Sequence, residues 1–225
     1  MIRRSAAERK PGSGERPPAG VSSHGPSEEM LVFIRPVSEE EATGAVADMY
    51  RRDREGWGFL PEFTEVFSHH PDAFAAWRQL IGAVQGPMDS RRFELATLAA
   101  ARTLRSSYCT TAHGKRLADR WYDPDTVRML VSDHHSAGLD ETDVAIMDFA
   151  VKVATDATSV DAGDVDRLRT VGLTEREILD VVLAVAARCF FATVIESMAA
   201  GPDPELMDPL APELREALLV GRRPS

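Results

Sequence analysis

The chain is poor in cysteine, with only Cys109 and Cys189 among 225 residues. Two cysteines exclude the multi-disulfide framework of small secreted proteins and any zinc site built from four thiolates. A chain of this length can bury a core without a disulfide, and its hydrophobic fraction of 44% is ordinary for a globular protein. We therefore expect a self-sufficient domain with at least one free, reduced thiol.

Positive charge is also scarce. The formal net charge is -10, from 26 Lys and Arg against 36 Asp and Glu, and the basic residues form no long block. A protein that follows a phosphate backbone needs a continuous basic surface. The composition therefore predicts that nucleic acid is not a partner.

Signals for a membrane or for secretion are weak as well. In the sequence we find no apolar run that approaches the roughly 20 residues needed to span a bilayer. The first residues lack the apolar stretch of a secretory signal. These observations predict a soluble, cytoplasmic protein without a membrane partner.

A sustained alternation of apolar and polar residues is missing too, and no Asn-Gly hairpin turn occurs, so the pattern favours an all-α fold. Residues 1–30 are rich in Pro, Gly, Ser, Arg and Glu and are predicted to form a disordered tail. Residues 31–225 are predicted to form one helical domain.

Apolar residues at helical spacing and capping residues divide this domain into helices. Ser38, followed by Glu39, Glu40 and Glu41, has the pattern of a capping box and predicts a helix to about Arg54. Further helix starts are predicted at Pro61, Pro71, Asp89 or Ser90, Pro124, Asp140 or Thr142, Asp161 and Thr174. The last of these opens an apolar stretch from Ile178 to Met198, which should be buried, in part between subunits.

The residues that carry chemistry lie between Ser106 and His113. Cys109 and His113 are four residues apart, which places both side chains on one face of a helix. Ser106 or Ser107 is a good N-cap, so Cys109 would lie in the first turn, where free backbone N–H groups favour an anion. A nearby imidazole has the same effect on a thiol, whose ordinary pKa is about 8.5. This arrangement predicts an activated thiolate.

Glu94 precedes Cys109 by fifteen residues, about 22 Å along a straight helix. It can act with Cys109 only if the chain folds back near the serine pair, and Glu94 would then be a candidate general base. An alternative of equal weight is a surface ion pair with the arginines near it in sequence, Arg91, Arg92 and Arg102.

The segment resembles the signature of the alkylhydroperoxidase D-like (carboxymuconolactone decarboxylase) family: a Glu, eleven residues, Cys-x-x-Cys, three residues and a His. Glu94, Cys109 and His113 match this pattern, whereas Ser106 replaces the first cysteine and Tyr108 replaces the His that often precedes the second. The resemblance implies a helical bundle that assembles as a homo-oligomer.

The resemblance also implies roles for these residues. Cys109 would attack a peroxide, His113 would activate it, and Glu94 would end a proton relay. Ser106 and Tyr108 become candidates for substrate binding or proton relay. The resolving thiol is missing, so a sulfenic acid on Cys109 would be resolved by Cys189, by a partner protein or by a small external thiol. The predicted burial of Cys189 argues against the first of these and favours an external thiol reductant.

Several residues have structural interpretations instead. Cys109 could be a small buried hydrophobe, and Cys189 is predicted to be inert packing. The pairs His69-His70 and His134-His135 are not expected to chelate a metal, because neighbouring helical side chains point about 100° apart. Trp57, Trp77 and Trp121 are expected to pack, with Trp121 a candidate pocket wall. No cofactor or metal is expected.

Three functions remain open at this point. The first is a thiol-dependent peroxidase acting on a small hydroperoxide. The second is a decarboxylase, lyase or isomerase acting on a small carboxylated metabolite, in which Glu94 and His113 would exchange a proton with the substrate. The third is a non-catalytic oligomeric binding protein on the same fold.

Overall fold

A computed structural model of the protein describes residues 32–223. The tail predicted for residues 1–30 therefore lies outside the described residues. Within residues 32–223 the regular structure is helical, with no strand, which confirms the all-α prediction. The helices are α1 (Gly44–Trp57), α2 (Glu62–Val66), α3 (Pro71–Gln85), α4 (Ser90–Thr103), α5 (Ser107–Arg120), α6 (Pro124–Asp133), α7 (Glu141–Asp156), α8 (Ala162–Thr170), α9 (Glu175–Ser197), α10 (Pro204–Met207) and α11 (Pro212–Leu218).

The helix predicted to begin at Ser38 begins later, so that prediction is wrong. The capping-box hydrogen bonds do form between Ser38 and Glu41, but they close a single turn. The chain then becomes extended at Thr43, and Gly44 adopts a positive φ of 53° before the helix proceeds. Gly58, with φ 85°, ends α1. Local hydrogen bonds of the capping type therefore do not guarantee that a helix continues.

Most other predicted caps are present. Asp89 caps α4 by accepting a hydrogen bond from the Arg92 N–H, and Asp140 caps α7 in the same way. Thr174 and Glu177 form the reciprocal capping box predicted for α9. These contacts satisfy backbone N–H groups that have no partner within the helix.

Helix α4 lies at the centre of the bundle and packs against α5, α7 and α9. Its residues 93–101 are all buried, including the small-residue run Ala99, Ala100 and Ala101. Small side chains allow helix axes to approach closely. Two side chains that carry the site, Glu94 and Thr97, project from this buried helix.

Helix α9 corrects the expectation that no apolar run approaches the length of a membrane span. Within the described residues it is one helix that is long and apolar enough to cross a membrane, yet 56% of its apolar window is buried inside the fold. Such burial is typical of the core helix of a bundle, since a spanning helix meets lipid instead. Leu179, Leu183 and Phe190 remain exposed along one side, which we call the α9 face.

The buried side chains form two main clusters. The larger lies among α4, α6, α7, α9 and α11, with Leu98, Val127 and Ile146 among its members. The second is rich in aromatic residues and contains Cys109. We call five of its rings the aromatic cluster; they pack edge to face or stacked, and they are Phe63, Phe67, Phe74, Trp77 and Phe191.

Candidate active site

The chain reverses between α4 and α5, as the serine pair predicted. Arg105 adopts a left-handed conformation with φ 56°, and the Ser106 N–H donates to the Ala101 carbonyl at 3.0 Å. This tight link lets α5 pack back along α4. Glu94 on α4 is thereby brought to α5 instead of lying about 22 Å away from Cys109.

Cys109 lies in the first turn of α5 and is buried. Ser106 is the N-cap, and its hydroxyl accepts a hydrogen bond from the Cys109 N–H at 3.3 Å. The thiol therefore sits at the positive end of the helix dipole, where negative charge is favoured. The hydrogen bond that reaches its sulfur comes from Arg188 Nη1, at 3.3 Å.

Arg188 is the main residue that the sequence analysis did not assign to the site. Its side chain is buried, and among the described residues no carboxylate forms an ion pair with it. Its Nε is a buried donor without a partner, and its guanidinium lies over the Phe191 ring. A buried cation is costly unless an anion faces it. The signal was present in the sequence as an arginine inside the apolar stretch of α9.

Glu94 and His113 form a buried pair. The His113 Nδ1 lies 2.5 Å from Glu94 Oε2 and 3.2 Å from the Thr97 hydroxyl. Thr97 donates its own proton to the Phe93 carbonyl at 2.7 Å, so it can only accept from the ring. We therefore assign the proton to Nδ1, which leaves Nε2 as an acceptor.

Charge and burial set the protonation of this pair. Burial, with the positive charge of Arg188 second, lowers the pKa of His113 from 6.5 to about 4, so the ring is neutral near pH 7. Burial alone would raise the pKa of Glu94, but His113 and Arg116 outweigh it and lower that pKa. Arg116 Nη1 lies 3.4 Å from Glu94 Oε1. A carboxylate beside a neutral imidazole is the resulting state.

The alternative interpretation of Glu94 as a surface ion pair does not fit this geometry. Glu94 is 3% exposed, and its partners are on α5. Arg91 and Arg92 instead pair with the buried carboxylate of Asp143. Arg102 donates to the Ser132 carbonyl. The arginines near Glu94 in sequence therefore hold other elements together.

The hydroxyl groups of Ser106 and Tyr108 have structural partners. Ser106 caps α5, as described. The Tyr108 hydroxyl donates to the Asp203 carboxylate, and burial together with that carboxylate raises the pKa of Tyr108 well above its ordinary value. Asp203 also accepts from the Glu62 N–H at 2.9 Å. Tyr108 thus ties the start of α5 to the segment before α10.

A cavity of about 720 Å³ connects these groups to the surface. Cys109, His113 and Arg188 all line it, and Arg116 does as well. Much of the remaining wall is aromatic, from Trp57, Phe63, Phe74, Trp77 and Phe191. The cavity therefore offers a thiol, an imidazole and several guanidinium groups beside aromatic rings, a pattern typical of small-molecule sites.

Trp121, a candidate wall from the sequence, does not line the cavity, because it follows the last residue of α5 and lies against Arg120. Cys189 is half-buried and packs against the larger core cluster, whereas Cys109 belongs to the second core cluster. Burial raises the pKa of Cys189. The two thiols therefore lie in different parts of the core.

The histidine pairs behave differently from one another. The Nε2–H of His69 donates to the Arg35 carbonyl at 2.8 Å, and His70 caps α3. His134 and His135, however, both place Nε2 beside the Asp148 carboxylate. The expectation that adjacent histidines diverge is therefore wrong for this second pair, because the chain leaves α6 there for a 3₁₀ turn.

Comparison with solved structures identifies the fold. A crystal structure of an uncharacterized peroxidase-related protein from Ralstonia eutropha JMP134, described as an alkylhydroperoxidase AhpD core, aligns with TM-score 0.71 and 20% identity over 87% of this chain and 98% of that one. A peroxidase-related protein from Silicibacter sp. TM1040 aligns with TM-score 0.67 and 20% identity over 79% and 92%.

The debrominase Bmp8, in complex with 2,3,4-tribromopyrrole, aligns with TM-score 0.67 and 15% identity over 82% of this chain and 97% of that one. Searches against protein-family models and against curated proteins give no match. The fold expected from the motif is thereby confirmed: the chain has the alkylhydroperoxidase D-like helical fold.

Proposed function

We propose that the protein is a thiol-dependent peroxidase in which Cys109 is the reacting residue. The observation that carries the proposal is the buried Arg188 guanidinium, whose hydrogen bond goes to the Cys109 sulfur inside a cavity that opens to solvent. A cation in this position stabilises a thiolate, which is the nucleophilic form of cysteine. Arg188 is thus the positive partner that a reactive thiol needs.

The reaction follows from these groups. The Cys109 thiolate attacks the distal oxygen of a hydroperoxide, the O–O bond breaks, and the electron pair leaves on the alkoxide or hydroxide. Cysteine is oxidised to a sulfenic acid and the peroxide is reduced to an alcohol or to water once the leaving oxygen takes a proton. Arg188 stabilises negative charge on the sulfur and on the peroxide oxygen next to it.

The Glu94–His113 pair manages the proton in this scheme. Neutral His113 has a free Nε2 that can accept a proton from the bound hydroperoxide or from the thiol, and it can return the proton to the leaving oxygen. The Glu94 carboxylate holds the ring through Nδ1 and stabilises the imidazolium that forms transiently. His113 and Cys109 line the same cavity, so both reach one substrate.

Reduction of the sulfenic acid requires thiols from outside the chain. Cys189 packs in a different core cluster from Cys109, so it is poorly placed to resolve the oxidised residue. A first external thiol would displace water from the sulfenic acid to give a mixed disulfide. A second would release the Cys109 thiol and leave with the first as a disulfide.

The test measures Cys109 directly. We expect hydrogen peroxide or an organic hydroperoxide to be consumed, and a sulfenic acid on Cys109 to be trapped by a dimedone-type reagent and located by mass spectrometry. Arg188→Met should slow alkylation of Cys109 by iodoacetamide at neutral pH by about tenfold or more, because the thiolate loses its cation. Arg188→Lys should retain part of the rate.

Arg120→Met is the matched control. Arg120 also lines the cavity, but its guanidinium lies over Trp121 and does not contact the sulfur, so its removal should leave the alkylation rate unchanged. The thermal midpoint of each variant checks that it is folded. An unmodified Cys109 together with no peroxide consumption in the unaltered protein would reject the peroxidase proposal.

A second candidate is a lyase or isomerase that acts on a small carboxylated metabolite. It is favoured by the free Nε2 of His113, a base inside the cavity, and by Arg116, which lines the same cavity and could bind a carboxylate. The fold also accommodates chemistry other than peroxide reduction, since a debrominase shares it. This candidate would be favoured if Cys109→Ser turned over a small carboxylated substrate at the full rate while His113→Gln did not.

A further inference from the structure

A histidine-carboxylate group lies outside the lining of the thiol cavity. His134 and His135 occupy the 3₁₀ turn that follows α6, and Asp148 lies on α7. The Nε2 atoms of the two rings are 2.9 and 3.0 Å from Asp148 Oδ1. From this geometry we infer that the three side chains form a binding site for a divalent transition-metal cation such as Zn²⁺.

The backbone explains how neighbouring histidines converge. The turn is fixed by Asp133, whose carboxylate accepts from the His135 N–H at 3.2 Å and from the Ser136 hydroxyl at 2.6 Å. The two imidazole rings stack with centroids 4.4 Å apart and planes inclined by 30°. Stacking directs both Nε2 atoms to the same side, toward α7.

The third ligand is held by a helix. Asp148 stands on α7 between Met147 and Phe149, which are both buried in the larger core cluster. His134 is itself 6% exposed, whereas His135 is more accessible. The His134 ring is therefore fixed by packing, the Asp148 backbone is held by a packed helix, and His135 is free to adjust. A site supported by rigid elements loses little freedom when it binds an ion.

The ligand atoms suit a cation in number, kind and spacing. All three lie within 4.8 Å of one another. Zinc binds imidazole nitrogen and carboxylate oxygen at about 2.0–2.2 Å, so ligand atoms in a tetrahedral site are about 3.4 Å apart. The two nitrogen–oxygen distances, 2.9 and 3.0 Å, would each lengthen by about half an ångström to reach that spacing. Two imidazoles with one carboxylate favour Zn²⁺ and its neighbours over Mg²⁺ or Ca²⁺.

The other histidine pair supplies a contrast. His69 and His70 are equally adjacent in sequence, but in the part of the chain that the structure describes they belong to no group of three candidate ligands. His69 is engaged with the Arg35 carbonyl, and His70 caps α3. Adjacent histidines alone are therefore insufficient, and Asp148 is the residue that distinguishes the two pairs.

The experiment titrates the full chain, without a histidine tag, with Zn²⁺ in a Cys109→Ser, Cys189→Ser background, which removes the thiols as competing ligands. Calorimetry should give one ion per chain. Asp148→Asn and His135→Ala should each weaken binding by about tenfold or more, since each removes one ligand. His70→Ala, the control, should leave the affinity unchanged.

Co²⁺ gives a second readout that needs no substitution at the site. Its visible absorption should show the d–d bands of a four-coordinate ion bound by nitrogen and oxygen, and Zn²⁺ should abolish them. Circular dichroism checks the fold of each variant. A Zn²⁺ titration that does not saturate, or a weakening below tenfold in either site variant, overturns the inference. Because the thiols are absent throughout, the result is independent of the proposed peroxidase activity.

Discussion

The buried, uncharged state of His113 predicts a loss of stability in acid. Burial and the nearby Arg188 charge lower the pKa of His113 from 6.5 to about 4. Between these two values the unfolded chain binds a proton that the folded protein does not. The free energy of unfolding therefore rises with pH across this window, and the contribution is complete above pH 6.5 and lost below about pH 4.

The magnitude follows from the size of the pKa change. One pKa unit corresponds to about 1.4 kcal/mol, so the His113 contribution is about 3 kcal/mol over the full window. His113 is 3% exposed, so solvent screens this effect little. Because the pKa of Glu94 is lowered, Glu94 also makes the free energy of unfolding rise with pH, but in a more acidic range. Glu62 acts oppositely, since burial raises its pKa to about 7.

Glu62 and His113 change the free energy of unfolding with pH in opposite directions. The pH dependence of one protein therefore does not isolate His113, and we compare the unaltered protein with a His113 variant. The unaltered protein and His113→Gln should be unfolded with urea at several pH values between 7.5 and 4.5, with circular dichroism as the probe. We expect the stability advantage of the unaltered protein to shrink as the pH falls, by most of the 3 kcal/mol estimated above. A difference independent of pH, or an NMR resonance of His113 that titrates near pH 6.5, would refute the reasoning.

Three further predictions concern other parts of the molecule. Glu62 has a raised pKa, so its contribution is present below about pH 4.5 and lost as the pH rises through 7; Glu62→Gln should therefore raise the thermal midpoint at pH 8 relative to the unaltered protein. Gly114→Ala should destabilise by about 1–3 kcal/mol in urea unfolding, because its Cβ would overlap the buried Leu218 side chain, whereas Gly82→Ala has open space and should stabilise its helix or be neutral. Leu183→Glu places a charge on the α9 face and should dissociate the expected homo-oligomer, as measured by analytical ultracentrifugation, while an unchanged assembly would locate the interface elsewhere.

The sequence predicts helix starts well where the cap is followed by buried apolar residues. Asp89, Asp140 and Thr174 all cap the helices expected of them, because the side-chain hydrogen bond and the tertiary packing favour the same conformation. Ser38 carries the same local signal, but Glu39, Glu40 and Glu41 provide no apolar face to bury, so the turn ends after its own hydrogen bonds. The side-chain hydrogen bonds of the cap form in both cases. Burial of an apolar face then determines whether the helix continues.

The candidate site likewise has one part that the sequence predicts and one part that it does not. The reversal at Ser106 depends on neighbours in sequence, so the approach of Glu94 to α5 could be expected. Arg188 lies 79 residues from Cys109, and the contact between them depends on how α9 packs against α5. Nothing in the spacing of the motif indicates it. The isolated charge within an apolar helix was nevertheless a usable signal, because a buried arginine requires a partner.

Arg188 also changes the chemical role expected for His113. The motif suggested that an imidazole one turn away would hold the sulfur anionic, but the positive charge beside the sulfur is a guanidinium. Burial lowers the pKa of His113, and this guanidinium lowers it further. The cation that donates to the sulfur thus also disfavours positive charge on the ring. In the proposed reaction the thiolate is paired with Arg188 and not with an imidazolium, which leaves the ring free to accept a proton. Arg188→Met should therefore raise the pKa of His113 measured by NMR while it slows alkylation of Cys109, a combination that loss of a merely structural contact would not produce.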